Sequence, residues 1–393
     1  MADILAFGKD GVHVLKSSFE SISSKALSPV CIDFCESTGW SVKDHVRVVG
    51  DTTGDGRTDL IGFGREGVWV ARNKGNGVFG PSTLRLQYFG SGPGAGSWST
   101  ERHVRFVADL RGTGRVDIVG FSDWAVHVSL NDGDGTFAPP HVACAGFGLE
   151  RGGWSKGKHL RMLADVTGNG VPDIVGFGDK DVCVAVNNGD GTFGPLRTVL
   201  SAFACQGNLM WSVRDHPRML ADLTGNGTVD IVGFASLGVY VALNDGKGGF
   251  REPACVLGTF GDNAGGWKVD KHPRFVADLT GDGKGDIVGF GDAGVSVALN
   301  NGDGTFQNSR LVLQAYGYQA GWRVEKHPRY LVDLTGNGCA DIVGFFDDGV
   351  YVAFNDGKGG FGAAQKLSDN FGCGSDAWSA ESTIRMVVNL AQR

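Results

Sequence analysis

Tryptophan, histidine and arginine recur together along this chain, with His five residues after Trp and Arg two residues after His. The copies are Trp40, His45 and Arg47; Trp98, His103 and Arg105; Trp154, His159 and Arg161; Trp211, His216 and Arg218; Trp267, His272 and Arg274; and Trp322, His327 and Arg329. An indole offers an apolar face to the C–H face of a sugar ring, while imidazole and guanidinium bond directionally to hydroxyl or amide oxygens. At i and i+2 near the start of a strand, His and Arg are expected on one side, where both could reach one ligand. The competing reading is structural: Trp as a wedge in the core, His and Arg as strand caps paired with nearby acids. A seventh copy keeps Trp378 and Arg385 but has Thr383 in place of His. The residue before each His varies among Asp44, Arg102, Lys158, Asp215, Lys271 and Lys326, so nothing in the sequence fixes the imidazole.

A second constellation reads Asp-x-Thr-Gly-[Asp/Asn]-Gly-x-x-Asp, at residues 51–59, 165–173, 222–230, 278–286 and 333–341, with a poorer copy at 109–117. Oxygen-bearing residues at positions 1, 3, 5 and 9 with Gly at 6 resemble a calcium loop. Asp51, Asp55 and Asp59, and Asp278, Asp282 and Asp286, are the candidate ligands, because these two copies keep an acid at position 5. A β-turn whose Asp and Asn satisfy backbone N–H groups accounts for the same residues, and Thr stands at position 3 where an acid or amide is usual. Catalysis fits neither constellation. A catalytic site is normally single, whereas these are multiplied about sixfold, and no nucleophile stands with a base at one place. The Asn-Asp-Gly-Asp-Gly clusters lack the lysine and helix of a phosphate loop and read as hairpins.

These residues are carried by a unit that repeats roughly every 56 residues, which argues for one array over the whole chain, residues 1–393, rather than the two or three domains its length suggests. In the clearest copy, strands are expected at residues 274–279, 286–290, 295–299 and 310–315, separated by Gly, Asn and Asp turns. Four antiparallel strands make one propeller blade. Complete units start near Val46, Val104, Leu160, Pro217, Pro273 and Pro328. The chain begins with a second strand and ends with a first strand, so these halves complete a seventh blade. The fold class expected is all-β: a seven-bladed β-propeller of four-stranded antiparallel blades, closed by pairing of the terminal strands. The least regular stretch, residues 16–28, is read as a variant turn and outer strand of the split blade.

Bulk properties agree. The 65 glycines signal tight turns, and 41% hydrophobic residues suffice for a core. A net charge of -7, with Lys and Arg scattered through every repeat, argues against nucleic acid as a partner. No stretch is apolar enough for membrane insertion. The eight cysteines fall at different points of the repeat and are read as free thiols, mostly buried. With no signal-peptide pattern, a cytoplasmic setting is expected.

Across residues 265–295, GGWKVDKHPRFVADLTGDGKGDIVGFGDAGV, and through all the repeats, the sequence resembles the mushroom lectin of Psathyrella velutina and its close relatives. Its Asp-x-x-Gly-x-Gly and Gly-Phe-Gly elements more loosely resemble integrin-type repeats. The resemblance implies a seven-bladed propeller that binds terminal N-acetylglucosamine between neighbouring blades, with no catalysis, no required cofactor and calcium in some loops. Glycans and glycoproteins ending in that sugar would be the partners. Six pockets would be built on the Trp, His and Arg residues above, and the Thr383 junction would be empty or weak. The turns carrying Asp123, Asp179, Asp292 and Asp347 would add a carboxylate acceptor; Arg65 and Ser236 depart from that pattern. The alternative is an integrin-like protein-interaction propeller without sugar binding.

Overall fold

The computed structural model describes residues 2–16, 27–207 and 209–390. In the best-defined repeat the strands are Arg274–Ala277, Asp286–Phe290, Val295–Ala298 and Arg310–Leu313, hydrogen-bonded in that order as an antiparallel sheet. Six sheets share this plan. A further sheet has the order Val12–Leu15, Asp3–Phe7, Ile384–Val388, so the last strand pairs with the first one, as the two half repeats require. This is the seven-bladed β-propeller fold. The expected variant strand over residues 16–28 lies almost entirely outside the described residues.

Two compact units carry the complete blades. One, built mainly on Ser28–Cys205, holds the blades whose first strands are Val46–Gly50, Val104–Ala108 and Leu160–Ala164. The other, built mainly on Gln206–Val388, holds those starting at Arg218–Ala221, Arg274–Ala277 and Arg329–Val332. In this second unit the first strand begins one residue after Pro217, Pro273 or Pro328, since proline has no N–H for the ladder. Its carbonyl still accepts, at 2.9 to 3.0 Å, from Phe234, Phe290 and Phe345.

Burial follows strand position. The second strand, Asp-Ile-Val-Gly-Phe, is buried at every residue, because both of its faces are covered. Period-two alternation therefore fails there, and the continuous apolar run is the truer signal. Between Arg218–Ala221 and its neighbouring blade, Phe234, Val239, Phe260, Trp267 and Ile287 form one apolar cluster. Each such large side chain stabilises by roughly 2–3 kcal/mol on burial. Among the described residues no helix is long and apolar enough to cross a membrane. The cysteines are free, and most are buried, although Cys255 is exposed.

Candidate functional site

Each Trp opens a tight turn that the His closes. The His272 N–H donates to the Lys268 carbonyl at 2.7 Å, and the Lys268 N–H donates back to His272 Nδ1 at 3.1 Å. The return bond to Nδ1 recurs at His45, His103, His159, His216 and His327, at 3.0 to 3.2 Å. A backbone N–H can only donate, so Nδ1 accepts and the neutral ring carries its proton on Nε2. The expectation that nothing fixes the imidazole is thereby corrected: its anchor is backbone, which no residue type reveals. Burial lowers the pKa of His45, His103, His159, His216 and His327, which keeps these rings neutral at pH 7.

The Nε2 atom faces the turn after the second strand. It lies 3.3 Å from Asp123, 3.1 Å from Asp179, 3.0 Å from Asp292 and 3.1 Å from Asp347, and at His216 it lies 3.2 Å from Ser236 Oγ. Lys158 and Lys326, one residue before their histidines, pair with Asp179 and Asp347 and hold those carboxyls below the usual range. Arg102 reaches Asp123 at 2.8 Å, while Lys271 Nζ lies over the Tyr318 ring at 4.8 Å. Where the turn carries Arg65 or Ser236, an acid precedes the His, and Asp44 and Asp215 accept from Ser41 and Ser212 at 2.9 Å. In three junctions the basic residue before the His, Arg102, Lys158 or Lys326, is thus paired with the acid of the turn opposite, a pairing the sequence contains and a residue-by-residue reading misses.

The indoles are only 2 to 9% exposed in these six junctions. Their ring centroids lie 5.1 to 5.7 Å from the partner imidazoles. On the other side, at 4.7 to 5.0 Å, sit Phe34, Phe89, Phe147, Phe260 and Tyr316. The Gly of the second strand makes room: a Cβ on Gly289 would lie 2.5 Å from Trp267 Cζ3 and 2.7 Å from Phe260 Cε1. Most of each indole is therefore blade packing, and one edge reaches the surface.

The arginines serve that packing. Arg274 donates from Nη1 to the Phe260 carbonyl at 2.8 Å, and its guanidinium lies 5.6 Å from the Phe234 ring centroid. Phe260 has φ +63°, the left-handed region, at a cost of order 1–3 kcal/mol that surrounding contacts must hold. Phe34, Phe89, Phe147, Tyr316 and Phe371 share this conformation and accept from Arg47, Arg105, Arg161, Arg329 and Arg385. These aromatics escaped notice in the sequence, where they read as loop residues ahead of the Trp. Arg47, Arg105, Arg161, Arg218, Arg274 and Arg329 are 2 to 5% exposed, and burial pushes Arg47, Arg105, Arg161, Arg274 and Arg329 down to about 10, still cationic. His lies in the turn before the strand, and the two side chains have different partners: His272 meets Asp292 while Arg274 reaches the Phe260 carbonyl.

Surface depressions open beside Trp and His, and no arginine of the motif lines those described here. Trp40, His45, Arg65, Trp69, Ser91 and Pro93 border about 910 Å³. Trp154, His159, Asp179, Arg151 and Cys183 border about 290 Å³, and Trp267, His272, Asp292 and Ser296 about 140 Å³. Sequence reasoning missed Trp69, Cys183 and Ser296, which stand on the third strand directly opposite Gly62, Gly176 and Gly289. Their signal was variation of residue type at one fixed place in the third strand.

At the opposite end of the blade, the Asp loops are knotted on themselves. Asp278 accepts from the N–H groups of Thr280, Gly281 and Gly283 at 2.7 to 3.0 Å. Asp282 accepts from Lys284 N–H and is paired with Lys284 Nζ at 3.1 Å. Asp286, 2% exposed, accepts from the N–H groups of Leu279 and Asn300. Asp51, Asp55 and Asp59 repeat these roles with Thr53, Gly54 and Gly56, with Arg57, and with Thr52 and Asn73. Oxygens already committed to N–H donors and to Arg57 or Lys284 do not fit a calcium cage. Among the described residues, His159, Asp179 and Cys205 could approach one metal ion. The proton on His159 Nε2 opposes ligation there.

Residues 51–119 match the model of the FG-GAP-like repeat. No curated protein sequence matches the chain. Among solved structures, one described as the structural basis of specific recognition of non-reducing terminal N-acetylglucosamine by an Agrocybe aegerita lectin is 47% identical, with a TM-score of 0.95. That match covers 100% of this chain and 96% of the other. The Photorhabdus luminescens Tc holotoxin pore is 19% identical over 76% of this chain and 13% of its own, with a TM-score of 0.49, and contributes nothing to the assignment. On full-length identity to the Agrocybe lectin, together with the shared repeat, the chain belongs to the Psathyrella velutina lectin-like family of mushroom propeller lectins.

Proposed function

We propose that the chain is a multivalent lectin for terminal, non-reducing N-acetylglucosamine, bound at the Trp–His junctions without catalysis. The observation that carries this reading is the pairing, at His103, His159 and His272, of an Nε2–H donor with a carboxylate acceptor 3.0 to 3.3 Å away, beside a Trp edge at the surface. A saccharide presents C–H faces and hydroxyls that can donate, so it matches an apolar edge flanked by a carboxylate that keeps free acceptor capacity. The Agrocybe lectin's described specificity supports the choice of sugar. Shallow sites of this kind are individually weak, and several on one protein raise avidity toward clustered glycans by roughly 10² or more. The partners are then glycoproteins carrying such termini.

Calorimetric titration with N-acetylglucosamine, with galactose as control, tests the reading. Saturable heat for the first sugar alone is expected. His272→Thr, a change the fold already accommodates at Thr383, should lower the number of sites by one. No heat at millimolar sugar, or an unchanged number in the variant, would overturn the proposal.

A further inference from the structure

The residue that follows the Gly-Phe of the second strand is Gly64, Ser122, Gly178, Ala235, Gly291 or Phe346 in successive blades. This position abuts the outer rim of the indole. A Cβ on Gly64 would lie 3.1 Å from Trp40 Cη2, one on Gly178 3.4 Å from Trp154 Cη2, and one on Gly291 3.2 Å from Trp267 Cη2. All three depressions described at Trp–His junctions belong to blades with glycine here. Absence of a side chain keeps the rim of the indole open in them.

The sixth junction has a phenyl ring in that space. Phe346 lies 4.8 Å from Trp322 and 4.7 Å from His327 between ring centroids, tilted 38° to each. The ring is held in place. Phe346 pairs with Gly349 at the end of the strand Asp341–Phe346, its Cζ lies 3.3 Å from where a Cβ on Gly321 would sit, and Tyr351 meets it edge-on at 6.3 Å. The polar half of the junction persists, with His327 Nε2 3.1 Å from Asp347, while Phe346 lies against the indole in the space that glycine leaves free in three other blades.

We infer that Phe346 occupies the surface on which a saccharide would lie at the sixth junction, so that this copy takes no sugar, and that the residue at this position sets occupancy blade by blade. The inference rests on the lectin reading above. It differs from the expectation of six pockets with only the Thr383 junction empty or weak, because the Trp, His and Asp of this copy are all intact. A weakly bound monosaccharide would have to replace the contacts that Phe346 makes with the indole and the imidazole. Glycine at the same position leaves nothing to displace.

The test is calorimetric titration with N-acetylglucosamine of the unaltered chain and of Phe346→Gly, Gly291→Phe, His327→Thr and the Phe346→Gly/His327→Thr double variant. Phe346→Gly should gain one site, and Gly291→Phe should lose one. His327→Thr should leave the number unchanged alone but cancel the gain in the double variant. A loss of one site on His327→Thr in the unaltered background, or no gain on Phe346→Gly, would overturn the inference. Should Phe346→Gly fail to fold, Gly291→Phe decides the matter, an unchanged number of sites counting against it. Absence of any heat from the unaltered chain would instead sink the lectin reading itself.

Discussion

The two ends of a blade carry equally regular polar repeats, yet they differ in who satisfies their oxygens. At one end Asp286 is 2% exposed, and both of its oxygens accept from backbone N–H groups. At the other end the side chain of Asp292 is 56% exposed, and His272 Nε2 meets one of its oxygens. The first arrangement is closed, because the protein supplies every partner. The second leaves acceptor capacity facing solvent, and that residual capacity is what a ligand can use. Repetition alone therefore does not separate structure from function; unspent hydrogen-bonding capacity does.

The largest expected effect lies at the closed end. Asp286→Ala removes the acceptor of two buried N–H groups, each costing about 1–3 kcal/mol when left unsatisfied. Urea unfolding should show a loss of about 2–5 kcal/mol, with the number of sugar sites unchanged in the folded protein. Next comes Arg274→Met, which deprives the Phe260 carbonyl of its donor while that residue holds a left-handed conformation. A loss of about 1–3 kcal/mol is expected, again with no site lost. If Arg274→Met removes one site at full stability, the arginine belongs with the ligand surface and the division between the two ends fails.

Acid separates the ends by sign. Burial lowers the pKa of His159 and His327 below the ordinary 6.5, so their contribution to stability is full above that value and is lost as pH falls through the folded values. Burial raises Asp286 from 3.8 to about 6, so its contribution is full below 3.8 and is lost as pH rises through about 6. Between these values stability draws opposing terms from the two ends, whereas sugar binding depends on the histidine end alone. Affinity should fall as pH drops below 6.5 through the folded histidine values, since a protonated ring cannot accept at Nδ1; an affinity that stays flat until the fold itself is lost would remove His from the site. Smaller still is Asp292→Asn, expected to weaken one site about tenfold by calorimetry while shifting stability by less than about 0.5 kcal/mol.

Much of this was legible from residue types. The repeat, its four strands and the pairing of the terminal halves follow from glycine punctuation and the position of Asp-Ile-Val-Gly-Phe. The Trp–His adjacency at a blade junction was legible too, because both lie in one short connection. What stayed hidden is three-dimensional. Phe260 in a left-handed conformation, Arg274 turned toward its carbonyl and Lys268 N–H anchoring His272 all depend on backbone geometry that composition does not encode. Phe346 was visible as a departure from Gly-Phe-Gly, but its meaning needed the indole and imidazole beneath it.

The smallest expected effect is none at all, and it probes the closed end most sharply. A calcium loop needs carboxylates free to converge on the ion, and the pattern around Asp51 and Asp278 looked suitable on spacing. In the fold, three N–H groups converge on each of those two carboxylates, and the position-5 acids, Asp55 and Asp282, face Arg57 and Lys284. A cation entering either loop would have to reverse these donors and displace a resident positive charge, so the turn is stable because it binds itself. Millimolar EDTA should therefore leave the melting temperature unchanged. A fall reversed by added calcium would show that the loops rearrange around an ion, and would make the closed end a second binding region instead of a structural rivet.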